Sequence, residues 1–365
     1  MNLAWIALSL ITAPAKPADD QAYFAIFAET KVMRIAGMPA IQMPKLPPGV
    51  KLPPGISIPG MPSKLLNVRL WSPSIAPDSA TATLAPPSGL KLGSSLPLDL
   101  FRPTPSSGGN GAGGGSSSGA GTIPDLTIKV YWGSSDTVKE GQPRVFKLAD
   151  LSPEQLAEMS KRSAQMGPNV KESYFYKPNW TTGYWPAAKQ KGSVEDDASL
   201  LGKYNLESSY AGKVSMEVPT GVDFLSPIEV TSPDISQKVD LSGSLAFGWS
   251  PISSALGEVA SIFAMEGKNT MILWSSSENY TANLLADNSF LEMGEVRKRV
   301  DDHSFMGPDT NRVSIPAGIF KDADFVMLNM IAYGPGTATD GTNPLARLQT
   351  KSTLNLMLGG KKTKN

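Results

Sequence analysis

The chain has 365 residues, of which 41 % are hydrophobic and 18 % are charged. These proportions supply enough apolar surface for folded cores and too little charge for a disordered chain, and the length favours two domains. Lys plus Arg equals Asp plus Glu, 33 against 33, so no overall charge draws the protein to nucleic acid or to an anionic membrane. The absence of cysteine excludes disulfides, thiolate catalysis and cysteine-ligated metals.

The N-terminus has the pattern of an export signal. An apolar run, Leu3–Thr12, is followed by the small residues of Ala13–Ala15, and at roughly ten residues it is too short to span a bilayer. We therefore expect residues 1–19 to be a signal peptide and the protein to be periplasmic or extracellular. No later run is apolar for long enough to predict a membrane span.

Residues 20–105 are predicted to form a Pro-rich β domain. Short apolar or alternating runs closed by Pro or Gly are typical of strands, and four occur here: Ala22–Met33, Leu65–Trp71, Ala80–Pro86 and Leu96–Phe101. The repeat KLPPGVKLPPG (Lys45–Gly55) lies between the first two. Its prolines favour extended backbone, which predicts a surface crossover or, alternatively, a docking strip for a partner.

A Gly/Ser-rich linker is predicted at residues 106–122, because the run SSGGNGAGGGSSSGAG has no large apolar side chain to bury. Residues 123–360 then form a second β-sandwich, with residues 361–365 as a basic tail. Two short helices are inserted in it: one at Ser152–Gln165, with Ser152 as N-cap and Pro153 next, and one at Glu292–Asp301. Its predicted strands are Leu126–Trp132, Gly141–Leu148, Gly212–Val218, Gly243–Trp249, Glu258–Met265, Thr270–Trp274, Arg312–Pro316, Phe325–Tyr333 and Leu348–Met357.

The predicted fold class is thus mainly β: two β-sandwich-like domains joined by a Gly/Ser linker. Two segments carry a resemblance within the second domain, LAFGWSPISSALGEV (Leu245–Val259) and FVMLNMIAYGPG (Phe325–Gly336). They resemble the immunoglobulin/fibronectin type III pattern over about residues 224–358. That resemblance implies that Trp249 fills the core and that Tyr333 packs near the sandwich end. The tyrosine expected after the Trp strand is missing, and the resemblance implies no particular function.

Four short motifs extend the resemblance along most of the chain. They are RLWSPS (Arg69–Ser74), YWGSS (Tyr131–Ser135), TGYWP (Thr182–Pro186) and SIPAGIF (Ser314–Phe320). They resemble an uncharacterised family of exported bacterial β-rich proteins. This resemblance implies the architecture and export, and no activity.

The segment SYFYKPNWTTGYWP (Ser173–Pro186) concentrates aromatic side chains without a regular period, which predicts a loop or irregular edge. Flat amphipathic rings suit glycan and protein contacts. The predicted contact residues for an envelope protein or a glycan are Tyr174, Tyr176, Trp180, Tyr184 and Trp185. The alternative is that these rings close the end of the sandwich or join the two domains.

No catalytic residue, metal site or cofactor is predicted. The single histidine, His303, has Asp301, Asp302 and Ser304 as neighbours, but a catalytic triad needs groups that converge from separate elements. The sequence therefore favours a non-enzymatic binding or scaffolding module. Two alternatives stay open: a hydrolase of a cell-wall or extracellular polymer that uses Asp196 or Asp197 as acid and base, and copper handling by thioethers of Met33, Met38, Met43 and Met61.

Overall fold

The computed structural model describes residues 20–38, 60–102, 126–150, 179–187, 190, 192–280 and 291–360. Across these ranges the chain is mainly β, with nineteen strands and one α-helix, so the predicted fold class is confirmed at that level. Five predicted segments lie outside the described residues: the signal peptide, the KLPPG crossover, the Gly/Ser linker, the helix at Ser152–Gln165 and the basic tail.

Most predicted strands are present. In chain order the elements are β1 (Tyr23–Ile35), β2 (Ser63–Ser72), β3 (Ala82–Ala85), β4 (Leu96–Pro97), β5 (Asp99–Phe101), β6 (Thr127–Trp132), β7 (Arg144–Lys147), β8 (Thr181–Trp185), β9 (Ser193–Val194), β10 (Gly202–Ser208), β11 (Gly212–Val218), β12 (Val230–Ser232), β13 (Leu245–Trp249), β14 (Gly257–Glu266), β15 (Thr270–Ser275), α1 (Met293–Asp301), β16 (Arg312–Ile315), β17 (Phe325–Tyr333), β18 (Thr337–Ala338) and β19 (Leu345–Gly359). β8 lies in the segment Ser173–Pro186, which was predicted to be a loop or irregular edge. It forms a strand because β2 and β5 supply its backbone hydrogen bonds, and the local sequence does not reveal such distant partners.

One sheet of twelve strands organises the molecule. Its main order is β5-β8-β2-β1-β19-β17-β14-β15-β6-β7, with β18 beside β19 and β9 beside β2. β1 runs parallel to β19, in register from Tyr23 opposite Leu345 to Ile35 opposite Met357. Strands from both sides of the predicted linker therefore lie in one sheet, and the predicted arrangement of two separate sandwiches is not confirmed.

Two smaller sheets cover one face of the large sheet. The sheet β11-β10-β3-β4 packs over β1, β2 and the start of β19, around side chains such as Ile26, Val68 and Leu206. The sheet β12-β13-β16 packs over β14, β15 and β17, and Trp249 lies in this second core, as the resemblance implied. Tyr333 is also buried, but on the opposite face of the large sheet, where it stacks on Phe305 with ring centroids 5.4 Å apart.

The helix α1 matches its predicted range to within a residue, with Glu292 at the N-cap position. Val296 is buried, and the helix packs close to the first residue of β14, Gly257. A Cβ atom at Gly257 would lie 2.5 Å from Val300 Cγ2, which is too close for any side chain. The missing side chain thus lets the helix and the segment after it approach the large sheet.

A substitution in β1 tests whether the large sheet unfolds as one unit. Ile26 is fully buried between β1 and the first small sheet, so Ile26→Ala lowers the free energy of unfolding by about 2–5 kcal/mol. Because β1 and β14 share the sheet, we expect hydrogen exchange in β14 to accelerate by the same factor as in β1. The measurement is hydrogen exchange by mass spectrometry over a urea series.

Ile75→Ala is the matched control, because Ile75 is 54 % exposed and its truncation changes the unfolding midpoint little. Unchanged exchange in β14 beside faster exchange in β1 would show two independently unfolding parts.

Candidate functional site

The structure describes three of the five predicted aromatic contact residues. Trp180 is 3 % exposed and stacks on Tyr23, with ring centroids 6.5 Å apart. Tyr184 and Trp185 are half-buried. Tyr174 and Tyr176 lie outside the described residues, so their contact role stays a prediction. Trp180 instead helps to form an aromatic cluster with Tyr23, Phe27 and Trp71 on the large sheet.

The rings of Tyr184 and Trp185 point to opposite faces of the sheet. Tyr184 pairs with Arg69, and Trp185 pairs with Val68, and successive strand residues alternate between faces. Trp185 packs against the first small-sheet core. A sugar-binding platform needs neighbouring rings on one exposed surface, and the three described rings do not provide one.

The acidic run 195–197 forms ion pairs with a lysine. Lys91 Nζ lies 3.4 Å from Glu195 Oε2 and is hydrogen-bonded to Asp197. The hydrogen bond to Asp197 raises the pKa of Lys91. Glycosidase carboxylates face each other across a cleft, about 5–9.5 Å apart, whereas Asp197 pairs with Lys91 on the surface and its neighbour Asp196 is exposed. The geometry gives the hydrolase alternative no support.

A different region brings polar groups together around the only histidine. An open cleft of about 470 Å³ lies between the ends of β6 and β15, the segment after α1 and the start of β16. We call it the His303 cleft. It is lined by Ser134, Ser276, Glu278, Val300, His303, Phe305, Met306, Gly307, Thr310, Arg312 and Val313.

His303 is held at the cleft wall by an unusual backbone conformation. Its φ is +59°, a left-handed value that is uncommon outside glycine but is more frequent for His than for most residues. Its N–H donates to Val300 O at 3.1 Å, and its carbonyl accepts from the Glu278 N–H at 3.0 Å. The first bond closes the turn after α1, and the second joins that turn to the segment after β15.

The polar side chains of the cleft, which lie among apolar ones, are mainly hydrogen-bond donors. Glu278 is already satisfied, because Oε1 accepts from the Ser134 N–H at 2.9 Å and Oε2 from Lys139 Nζ at 2.6 Å. Ser134 Oγ accepts from the Ser314 N–H, and Ser276 Oγ accepts from the Ala260 N–H, both at 3.0 Å. Each hydroxyl therefore keeps its own hydrogen for a further acceptor.

Arg312 and His303 add two more donors with exposed side chains. Within the described part of the chain, neither the guanidinium nor the imidazole has an ion pair or a hydrogen-bond partner. The sequence pattern indicated no catalytic role for His303 and did not indicate Arg312, Ser134 or Ser276. No local signal could have found these three, since they reach the cleft from separate strands.

A buried carboxyl group, Glu258, lies next to the lining residue Met306. The residue is 0 % exposed, and its backbone exchanges hydrogen bonds of 2.9 and 2.8 Å with Met306 of the cleft. Neither of its carboxyl oxygens, nor Trp249 Nε1, completes a hydrogen bond in the described structure. Burial raises the pKa of Glu258 to about 8. Sequence alternation could have found it, because Glu258 shares its face of β14 with the core residues Ala260 and Ile262.

The predicted copper ligands are only partly described. Met33 and Met38 are exposed, Met61 is half-buried and Met43 lies outside the described residues. Among the residues that the structure describes, no group of three or more His, Asp or Glu side chains could hold a metal ion. No helix in those ranges is long and apolar enough to cross a membrane.

Comparison with known proteins adds no relative. No family model matches the chain, and no curated protein matches it. The resemblances to fibronectin type III domains and to exported bacterial proteins therefore stay predictions. What the structure establishes is a β-rich protein in which Arg312 and His303 line one cleft near the buried Glu258.

The raised pKa of Glu258 predicts a pH-dependent stability. In the unfolded chain this carboxyl loses its proton near the ordinary glutamate pKa of 4.5, whereas the folded protein keeps the proton up to about pH 8. Between these values the folded state binds more protons, so the free energy of unfolding falls as pH rises, by at most about 1.4 kcal/mol per pH unit. Glu258→Gln should remove this slope and leave the variant more stable than wild type at pH 8.

Urea unfolding at pH 5 to 9 measures the effect. Glu266→Gln, at the half-exposed end of the same strand, is the control and should keep the slope. A wild-type slope that persists in Glu258→Gln would mean that other groups cause it.

Proposed function

We propose that this protein is an exported, non-enzymatic binding or scaffolding module of the bacterial envelope or extracellular space, and that the His303 cleft holds an anionic group of its ligand. The observation that carries the proposal is the shared position of Arg312 and His303. Both line one open cleft with side-chain donors that no described residue uses. The signal-like N-terminus supports export.

The donor set favours an oxyanion over a cation or an apolar ligand. A guanidinium presents paired N–H groups that match a carboxylate or phosphate, and the hydroxyls of Ser134 and Ser276 can donate to the same oxygens. The one carboxylate in the lining, Glu278, is paired with Lys139. A bound anion would therefore meet little net repulsion.

The frame around the cleft is pre-arranged for binding. The Gly133 N–H donates to Ser275 O, and the Ser135 N–H donates to Ser314 O, both at 3.0 Å. These bonds tie the segment after β6 to both β15 and β16. Because the donors lie next to paired strand ends, little conformational entropy is lost when a ligand binds.

The aromatic segment Ser173–Pro186 contributes fewer contact residues to this proposal than its sequence predicted. Trp180 is in a core, so any glycan or envelope-protein contact there would have to come from Tyr184, Trp185 and the two residues outside the described ranges. No contact among the described residues favours polymer hydrolysis or copper handling.

Binding of defined anions tests the proposal. We expect wild-type protein to bind inorganic phosphate or a glucuronic acid oligosaccharide, and Arg312→Gln to weaken that binding at least tenfold, because a charge-assisted hydrogen bond contributes about 1.5–3 kcal/mol. Isothermal titration calorimetry at low salt, with each ligand in a separate arm, distinguishes a phosphate from an acidic-sugar source.

The matched control is Arg34→Gln, which makes the same change on β1 and should bind like wild type. His303→Asn offers a second variant, since Asn tolerates the left-handed backbone while it removes the ring. If wild type binds neither ligand, or Arg312→Gln binds both unchanged, the cleft is not an anion site.

A further inference from the structure

β7 is an edge strand of the large sheet with one side open. It pairs with β6, from Arg144 opposite Val130 to Lys147 opposite Thr127. In the described part of the chain, no strand pairs with its other side. All four residues are exposed, including Val145 at 52 % and Phe146 at 43 %. Exposed apolar side chains on an unpaired edge are a feature that sheet proteins usually avoid.

The hydrogen-bond register shows which backbone groups face outward. The Leu148 N–H donates to Leu126 O at 2.9 Å, and the inward-facing residues of an antiparallel pair alternate. Phe146 and Arg144 therefore direct their N–H and C=O groups towards β6. Val145 and Lys147 direct theirs away from the sheet, where they form a template for an added strand.

The side chains of β7 define what such a strand must carry. Arg144 and Phe146 point to one face of the sheet, and Val145 and Lys147 point to the other. Each face thus offers one cation and one apolar group. Directly opposed pairs of opposite charge, and pairs of apolar side chains, stabilise a sheet. A matching strand places carboxylates opposite Arg144 and Lys147 and apolar residues between them.

A second copy of this chain is a poorer match at this edge. It would bring the same two cations and no carboxylate, so the paired edges would repel. An acidic–apolar strand neutralises both cations. Arg144 is also positioned in advance, because its guanidinium carbon lies 3.9 Å from the centre of the Tyr280 ring.

We propose that β7 is a docking edge for an extended segment of a different protein, bound by strand addition, with acidic side chains opposite Arg144 and Lys147 and apolar side chains opposite Val145 and Phe146. This proposal stands independently of the His303 cleft. Four residues of edge give a short contact, so we expect weak, reversible binding, in the micromolar to millimolar range.

The test uses full-length protein and the capped peptide Thr-Thr-Glu-Val-Val-Glu-Thr-Thr, whose symmetric centre suits either strand direction. We expect wild type to bind it, measured by fluorescence anisotropy of the labelled peptide. Val145→Pro should weaken binding at least tenfold, because it removes an outward N–H and no bond to β6. Val138→Ser, in the exposed loop before β7, is the control and should bind like wild type.

A charge swap keeps the test decisive if the proline variant fails to fold. Lys147→Glu should weaken binding of the acidic peptide about tenfold and bind the peptide with Lys in place of Glu more tightly than wild type does. No binding by wild type, or an unchanged peptide preference in Lys147→Glu, overturns the proposal. A concentration-dependent dimer of wild type that Val145→Pro abolishes would also overturn it, in favour of a second copy.

Discussion

The parallel pairing of β1 with β19 is the interaction on which the rest of the structure depends. These two strands come from opposite ends of the chain and lie side by side over the whole length of β1. On one face their side chains form the floor of the first small-sheet core. On the other face Glu29 lies opposite Lys351, with Oε1 and Nζ 3.7 Å apart and both side chains largely buried. The entropy cost of closing a long loop grows only slowly with its length. Burial of side chains on both faces of the two strands offsets that cost.

Both proposed sites follow from the way this sheet is built. The His303 cleft needs the small sheet that carries Arg312 and the large sheet that carries Ser276 to be packed together, which the core around Trp249 and Val313 accomplishes. Glu258 lies close to the same junction. Its carboxyl group is buried without a hydrogen-bond partner, so the stability of this packing depends on pH. At the far edge, the order of strands leaves β7 last, so its outward backbone groups have no described neighbour.

Local pattern predicted the individual elements well. The ranges of β11 and β17 agree with the predicted ones residue for residue. In β11 polar and apolar side chains alternate over one buried face, whereas β17 is an almost continuous apolar run with buried residues on both faces. The helix α1 agrees with its predicted range to within a residue, and Val296 and Val300, four residues apart, favour one helical face there. The prediction of a loop at β8 was wrong. Gly183 and Pro186 are typical of turns, but the pairing of this segment with β2 overrides that local preference. β10 was missed, although buried Tyr204 and Leu206 alternate with exposed Lys203 and Asn205.

The sequence alone established a mainly β, cysteine-free chain with one histidine and the position of most strands along it. Those properties are local, because composition and a two-residue period need no knowledge of distant partners. Only the tertiary structure decided that strands on both sides of the Gly/Ser run share one sheet, that Trp180 is buried, and that Arg312 and His303 line one cleft. Strand partners are chosen by the hydrogen bonding and burial of the whole sheet, and no segment read separately carries that information.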